Sequence, residues 1–399
     1  MVTDDNAETG AAAVPSRNRS RADGTGGKAA ARVRSRRSAP AQPRSEEPAG
    51  LTVAVTGAAS GLGRGLAARL VAHPRVSRVV AVDSVRGDLP GVTWRVVDVR
   101  DPSLVQRLAG CDVVVHAGVP EVRGDLPEGE VQAAVAAGAR TVLTAAAAAG
   151  VGRAVLVTSA MVYGALSDNP VPLAEDAPLR AISDGGALSG LLDVEEAAGR
   201  APRVHPGLSV TVLRPAILVG PGVDSVFTRH FEAPRLLVVK DSHPHWQFCH
   251  VDDLLTALEL AALGQVSGYV TVGCEGSLTQ DEVEQLTGRR SIVLPSRLAY
   301  GTAERLHRLG VTLAPASELA FTAEPWVVPS TRLRAAGWSP AYDNAQALAE
   351  LVAELERKAV AGGRRFGRDA TLGAAGATVA VLGTAAVVRQ LRRQRRGGV

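Results

Sequence analysis

Thr56-Gly57-Ala58-Ala59-Ser60-Gly61-Leu62-Gly63 stands between an apolar run ending at Val55 and an amphipathic stretch. Gly57 can make a tight turn, and Gly61, with Leu62 beside it, lets the backbone approach a pyrophosphate. Gly63 lets the strand and the following helix pack closely. The N-terminus of that helix would turn unpaired N–H groups toward phosphates. Asp83 lies 20 residues after Gly63, at the end of the next apolar run. A carboxylate there can accept hydrogen bonds from the hydroxyls of an adenosine ribose and would repel a 2′-phosphate, so the pattern points to NAD rather than NADP. A glycine-rich turn with a capping aspartate would explain the glycines alone, but not strand, helix and acid together.

The elements that position these residues follow from hydrophobic patterning. Short apolar runs alternate with Ala-rich helical stretches, the signature of βαβ units and a parallel sheet. Strands are expected at 51–55, 78–82, 93–97, 112–116, 153–157 and 208–213. Helices are expected up to about Ala72 and at 128–149, 281–288, 296–310 and 344–359. The expected fold is α/β, a Rossmann-type doubly wound parallel sheet with a smaller interleaved C-terminal substrate lobe drawn mainly from 164–205, 222–250 and 268–345.

Further motifs carry a resemblance: Asp98-Val99-Arg100-Asp101, His116-Ala117-Gly118, Thr158-Ser159-Ala160-Met161-Val162-Tyr163-Gly164, Leu213-Arg214-Pro215 and Phe248-Cys249-His250-Val251-Asp252-Asp253-Leu254. Over roughly residues 51–350 the chain resembles an extended short-chain dehydrogenase/reductase of the NAD-dependent epimerase/dehydratase family. The resemblance implies that Asp98 and Val99 contact adenine, that Ala117 and Gly118 line the cofactor, and that Pro215 and Ala216 lie near the nicotinamide. It also implies a nucleotide sugar or similar hydroxylated substrate. The glycine spacing departs from extended members, because Ser60 stands where they have their middle glycine.

A second departure concerns proton transfer. Family members couple hydride transfer to a Tyr followed four residues later by a Lys, whose ammonium lowers the phenol pKa. The four tyrosines here, Tyr163, Tyr269, Tyr300 and Tyr342, are followed at that interval by Ser167, Gly273, Glu304 and Gln346. No such pair exists in the sequence. Aligning Leu192-Asp193-Val194-Glu195 with the helix after the family's Lys puts Ala187 and Leu191 in the two positions, and Val135 replaces an active-site Asn. Ser159, which in the family steadies the substrate oxygen, remains. Tyr163, or Asp184 from the loop, is the candidate substitute for the acid/base. Two readings therefore stand, an oxidoreductase or epimerase/dehydratase and an NAD(H)-binding regulator or scaffold without turnover.

Other constellations carry less. His243, His245, Cys249 and His250 are of metal-binding type without a recognised spacing, so no metal is assigned. Adjacent Asp252 and Asp253 diverge on any regular backbone, which makes a helix start their expected role. Ser159 lacks the Gly-x-Ser-x-Gly elbow of an acyl-transfer nucleophile.

Composition sets the outer limits. Three cysteines cannot make a disulfide framework, and no N-terminal apolar stretch resembles a signal peptide, so a cytoplasmic location is expected. Residues 51–356 hold 25 Arg and Lys against 33 Asp and Glu, about −8, although the whole chain is +4. An acidic body argues against a specific nucleic-acid groove. Residues 1–50 form a basic arm with almost no large apolar side chain, expected to be disordered. In 357–399, the 19 uncharged residues 370–388 lie between arginine groups. As a helix they would reach about 28 Å, so membrane attachment and packing on protein are both open. A homodimer is compatible with this reading.

Overall fold

The computed structural model describes residues 50–117, 128–183, 187–308 and 316–362. The N-terminal arm, Gly118, Asp184 and the 370–388 segment lie outside them. The first half of the chain reads β1 (Leu51–Thr56), α1 (Gly61–Val71), β2 (Val76–Asp83), β3 (Val92–Val96), α2 (Leu104–Leu108), β4 (Val113–His116), α3 (Glu128–Ala148) and β5 (Arg153–Val157). It continues through α4 (Ala187–Val204), β6 (Ser209–Pro215), β7 (Ile217–Val219), α5 (Val226–Glu232), β8 (Leu236–Val239), β9 (His245–Trp246), β10 (Phe248–His250) and α6 (Val251–Ala262). The last elements are β11 (Gly268–Val272), β12 (Leu278–Thr279), α7 (Gln280–Thr287), β13 (Ser291–Leu294), α8 (Ser296–Arg308), α9 (Thr331–Ala335) and α10 (Asn344–Gly362).

Seven parallel strands form the main sheet in the order β11-β6-β5-β4-β1-β2-β3. The central strands read as unbroken apolar runs because helices cover both faces; every residue of β4 is buried. On one face Val53, Val55 and Val115 join Leu66 and Leu70 of α1 and Leu254 and Leu258 of α6. On the other, Ala54, Val80 and Val114 meet Leu104 of α2, Val142 of α3 and Val194 of α4. Sequence order reverses between β1 and β4, which opens a crevice outside their carboxyl ends.

Two parts of the expected substrate lobe belong to this sheet instead. Residues 187–204 are α4, a covering helix that packs on α3 and β6, because Val194, Ala198 and Ala201 share one apolar face. Residues 268–272 are β11, the strand at one sheet edge, paired only with β6. The rest of the lobe is built on a parallel ribbon of β8 and β13 and on rings around α5. Phe227 stacks on Trp326 with centroids 5.5 Å apart, and Phe231 meets Trp246 edge-on at 5.2 Å. A capping box between Ser225 and Thr228 starts α5.

Candidate functional site

The turn after β1 has the backbone that its glycines allow. Gly57 lies at φ 69° and Gly61 at φ 50°, where a side chain would be strained. A methyl group on Gly63 would collide with the Gly57 carbonyl, so glycine is what lets α1 start directly against β1. Leu62 sits half-buried against the core below. Ser60 makes no side-chain capping bond to α1, and the helix has no acidic residue in its first turn. Its N-terminus is thus electrostatically suited to an anion.

Asp83 closes one side of this turn. Its Oδ2 accepts a hydrogen bond from the Ala59 N–H at 3.0 Å, which ties the glycine loop to the end of β2. The residue also lines a cleft of about 220 Å³ together with Gly57, Ser84, Asp98, Val99, Arg100, His116, Ala134, Val135 and Gly138. The structure therefore brings Gly57, Asp83, Asp98 and Val99 together around one opening. The Asp98 carboxylate is held below its ordinary pKa by the Arg100 guanidinium, with bonds of 3.0 and 2.6 Å. With that carboxylate paired, Val99 and the neighbouring backbone are the natural contacts for a flat base.

Two wall residues were not assigned a role from sequence. His116 ends β4, and its Nδ1 lies 2.7 Å from the Thr56 hydroxyl. Burial lowers its pKa to about 4, so the imidazole is neutral at physiological pH. Gly138 lies inside α3, where an added methyl group would stand 3.3 Å from Val99 Cγ2 and 3.9 Å from His116 Nε2. A glycine in the middle of an Ala-rich helix was the available signal of this close approach.

The other half of the same sheet edge is different. Ser159 follows β5 and is half-buried, and its Oγ accepts from the Met161 N–H at 3.2 Å. Pro215 ends β6 and Ala216 follows it; both are buried, with the Ala216 N–H donating to the Val272 carbonyl. Ala117 is buried after β4 and does not line the cleft. Tyr163, expected as a candidate acid/base, has no exposed surface. Its hydroxyl donates to the Glu175 carbonyl at 2.7 Å and accepts from Arg214 Nη1 at 2.9 Å. Burial also pushes the phenol pKa up. A hydroxyl so engaged and sealed from solvent cannot take a substrate proton, which removes Tyr163 from the candidates.

Tyr163 instead belongs to a buried polar knot. Arg214 grips Glu195 of α4 through two bonds of 2.9 and 2.7 Å, and the Thr158 hydroxyl donates to Glu195 at 2.7 Å. The guanidinium lies 4.3 Å from the Tyr269 ring centroid. These contacts join the ends of β5, β6 and β11 to α4. On that helix Leu191, in the position of the family's Lys, is half-buried against the apolar core.

Two of the residues weighed as metal ligands, His245 and His250, are engaged in folding contacts. His245 Nδ1 lies 3.1 Å from the Ser277 hydroxyl, and His250 caps α6 and stacks on Tyr342 at 3.8 Å. Asp253 accepts from the Ala341 and Tyr342 N–H groups. Among the described residues no group of His, Cys, Asp or Glu could hold a metal ion.

A glycine cradle at the switch point of a doubly wound parallel sheet, with an acid at the end of the second strand, defines a Rossmann-type dinucleotide fold. The NAD dependent epimerase/dehydratase family matches residues 53–270, and the chain belongs to that family. An uncharacterized protein of Mycobacterium tuberculosis is 28% identical over 309 residues, covering 74% of this chain and 81% of the relative. Another from Sinorhizobium fredii is 26% identical over 314 residues, with 75% and 77% covered. Among solved structures, a UDP-galactose 4-epimerase is similar with a TM-score of 0.56 and 21% identity, covering 77% of this chain and 99% of its own. A dTDP-glucose 4,6-dehydratase from Bacillus anthracis, solved with NAD, has a TM-score of 0.57 at 16% identity, with 77% and 97% covered. These structural likenesses are likenesses of fold.

Proposed function

We propose that this protein binds NAD(H) in the cleft between Gly57 and Val99 and holds it without the family's proton-transfer chemistry, acting as a redox-responsive regulator or scaffold. The residues present fit the dinucleotide. Gly57, Gly61 and Gly63 leave room for a pyrophosphate at the start of α1, Asp83 is placed for the ribose hydroxyls, and Val99 and Gly138 wall the place of a base. NAD is the form found in the Bacillus anthracis relative of this fold. When bound, the nicotinamide supplies a hydride acceptor, and the chain's own residues would have to manage the accompanying proton.

One observation carries the reading: the cradle is complete while no tyrosine in the chain has a lysine four residues on. Losing a positioned acid/base removes on the order of 10² to 10⁴ in rate. Ser159 favours a second reading, an oxidoreductase or epimerase/dehydratase acting on a nucleotide sugar, because its hydroxyl follows β5 on the sheet edge that carries the cleft. Fluorescence titration with NADH followed by a panel of sugar nucleotides separates the two. Saturable binding with no change in nicotinamide absorbance supports the regulator. Turnover that disappears in Ser159→Ala supports the enzyme and overturns the primary reading.

A further inference from the structure

Most polar side chains that line the cleft are already engaged with one another. Asp98 pairs with Arg100, and the Ser84 hydroxyl donates to Asp83 Oδ1 at 3.4 Å. His116 differs. It is 8% exposed, its Nδ1 meets the Thr56 hydroxyl at 2.7 Å, and its Nε2 has no hydrogen-bond partner among the described residues. A ring so deeply buried, with one nitrogen unengaged on a cleft wall, is half of a polar contact.

Thr56 decides which ring nitrogen carries the hydrogen. Its side chain is fully buried, and His116 Nδ1 is its one hydrogen-bond partner among the described residues. An unpaired buried hydroxyl proton is costlier than an unused lone pair, so Thr56 donates and Nδ1 accepts. Burial keeps the imidazole neutral, and a neutral ring that accepts at Nδ1 holds its hydrogen on Nε2. The wall therefore presents an N–H donor.

Gly138 opens the space in front of that donor. A methyl group at this position would stand 3.9 Å from His116 Nε2 and 3.3 Å from Val99 Cγ2, so its absence leaves a slot between a methyl and an imidazole. Ala134 and Val135, a turn earlier in α3, add further apolar lining. A sugar ring would bury its hydroxyls against these methyl groups. A flat heteroaromatic ring with an acceptor nitrogen on its edge suits the slot.

We propose that His116 is a specificity-determining residue of this cleft, its Nε2–H donating to a ring nitrogen of the adenine base held over Gly138. The inference rests on the reading that the cleft takes NAD(H), and it adds a side-chain contact to the edge of the base.

NADH titration of two variants tests it, because an Asn amide reaches about as far as Nδ1 and a Gln amide about as far as Nε2. His116→Asn keeps a partner for Thr56 but lacks the donor at the base. It is expected to bind NADH about tenfold more weakly at an unchanged thermal midpoint, and His116→Gln is expected to recover most of the affinity. Competition by ADP against NADH needs no substitution. Of the 1-deaza, 3-deaza and 7-deaza analogues, each with one ring nitrogen replaced by C–H, one is expected to compete about tenfold worse than ADP with the unaltered chain and as well as ADP with His116→Asn. Full NADH affinity in a folded His116→Asn, or three analogues that all compete as ADP does, overturns the proposal. Absence of saturable NADH binding overturns both the proposal and the reading beneath it. Weakened binding in Asp83→Ala beside unaltered binding in His116→Asn keeps the dinucleotide and removes the base contact alone.

Discussion

Two halves of one sheet edge have been treated differently in this molecule. At the ends of β1, β2 and β4 the glycine turn, Asp83, Val99 and His116 surround an open cleft. At the ends of β5 and β6 the Tyr163 hydroxyl is locked between Glu175 and Arg214, and Leu191 packs half-buried against the core. On the proposed reading, recognition of the adenosine side depends on backbone conformation and one carboxylate, which the fold itself maintains. Proton handling depends on side chains that project from α4, and those can be replaced without disturbing the sheet. A chain can therefore keep the first and lose the second.

The sharpest way to break this contrast is to unsettle the second half. Glu195→Gln leaves the Arg214 charge buried against a neutral amide, with both original side chains at most 5% exposed. Loss of about 3–5 kcal/mol in urea unfolding is expected. A loss below about 1 kcal/mol would show that the knot contributes little.

The first half should reveal itself through pH. The folded pKa of His116 is about 4 against an ordinary 6.5, so the unfolded chain binds the proton more readily. Its contribution is complete above pH 6.5 and is lost as pH falls from 6.5 through 4. The expected cost is about 3 kcal/mol over that window. His230 shifts in the same direction, so the comparison must be with His116→Gln. That variant is expected to show a flatter stability profile between pH 6.5 and 4, and parallel profiles would refute the assignment.

The smallest effect concerns the ligand itself. Asp83→Ala is expected to weaken NADH binding by about 1–3 kcal/mol through loss of charge-assisted hydrogen bonds. Unchanged affinity in a fluorescence titration would place the dinucleotide elsewhere.

Much of this was legible in the sequence, for reasons that can be named. Strand β4 and the Val53–Val55 stretch of β1 are buried on both faces and read as short apolar runs. The expected start of β4 at Asp112 shifts to Val113 because the Asp112 carboxylate accepts from the Thr52 N–H at 2.7 Å and so belongs to the strand end. The glycine spacing and Asp83 were local signals that survived folding. By contrast β11 is five residues long, begins on a glycine at φ 76° and pairs on one side only, which leaves little periodicity to detect. Tyr163 stood as a candidate because it lies four residues beyond Ser159 and has a titratable hydroxyl. Its actual partners, Glu175 and Arg214, are 12 and 51 residues away, and no local pattern encodes them. Gly138 was visible as a letter, but its purpose depended on Val99 and His116 arriving from two other strand ends.

If the dinucleotide lies as proposed, the hydrogen bond from Ala59 to Asp83 makes one carboxyl group serve two parts of it. A nucleoside that draws on that carboxylate would also tug on the turn meant for phosphates, so the two ends of the ligand could not be read independently. Affinities of adenosine and of pyrophosphate measured apart should then fail to multiply to that of their covalent union, even after allowance for the linkage.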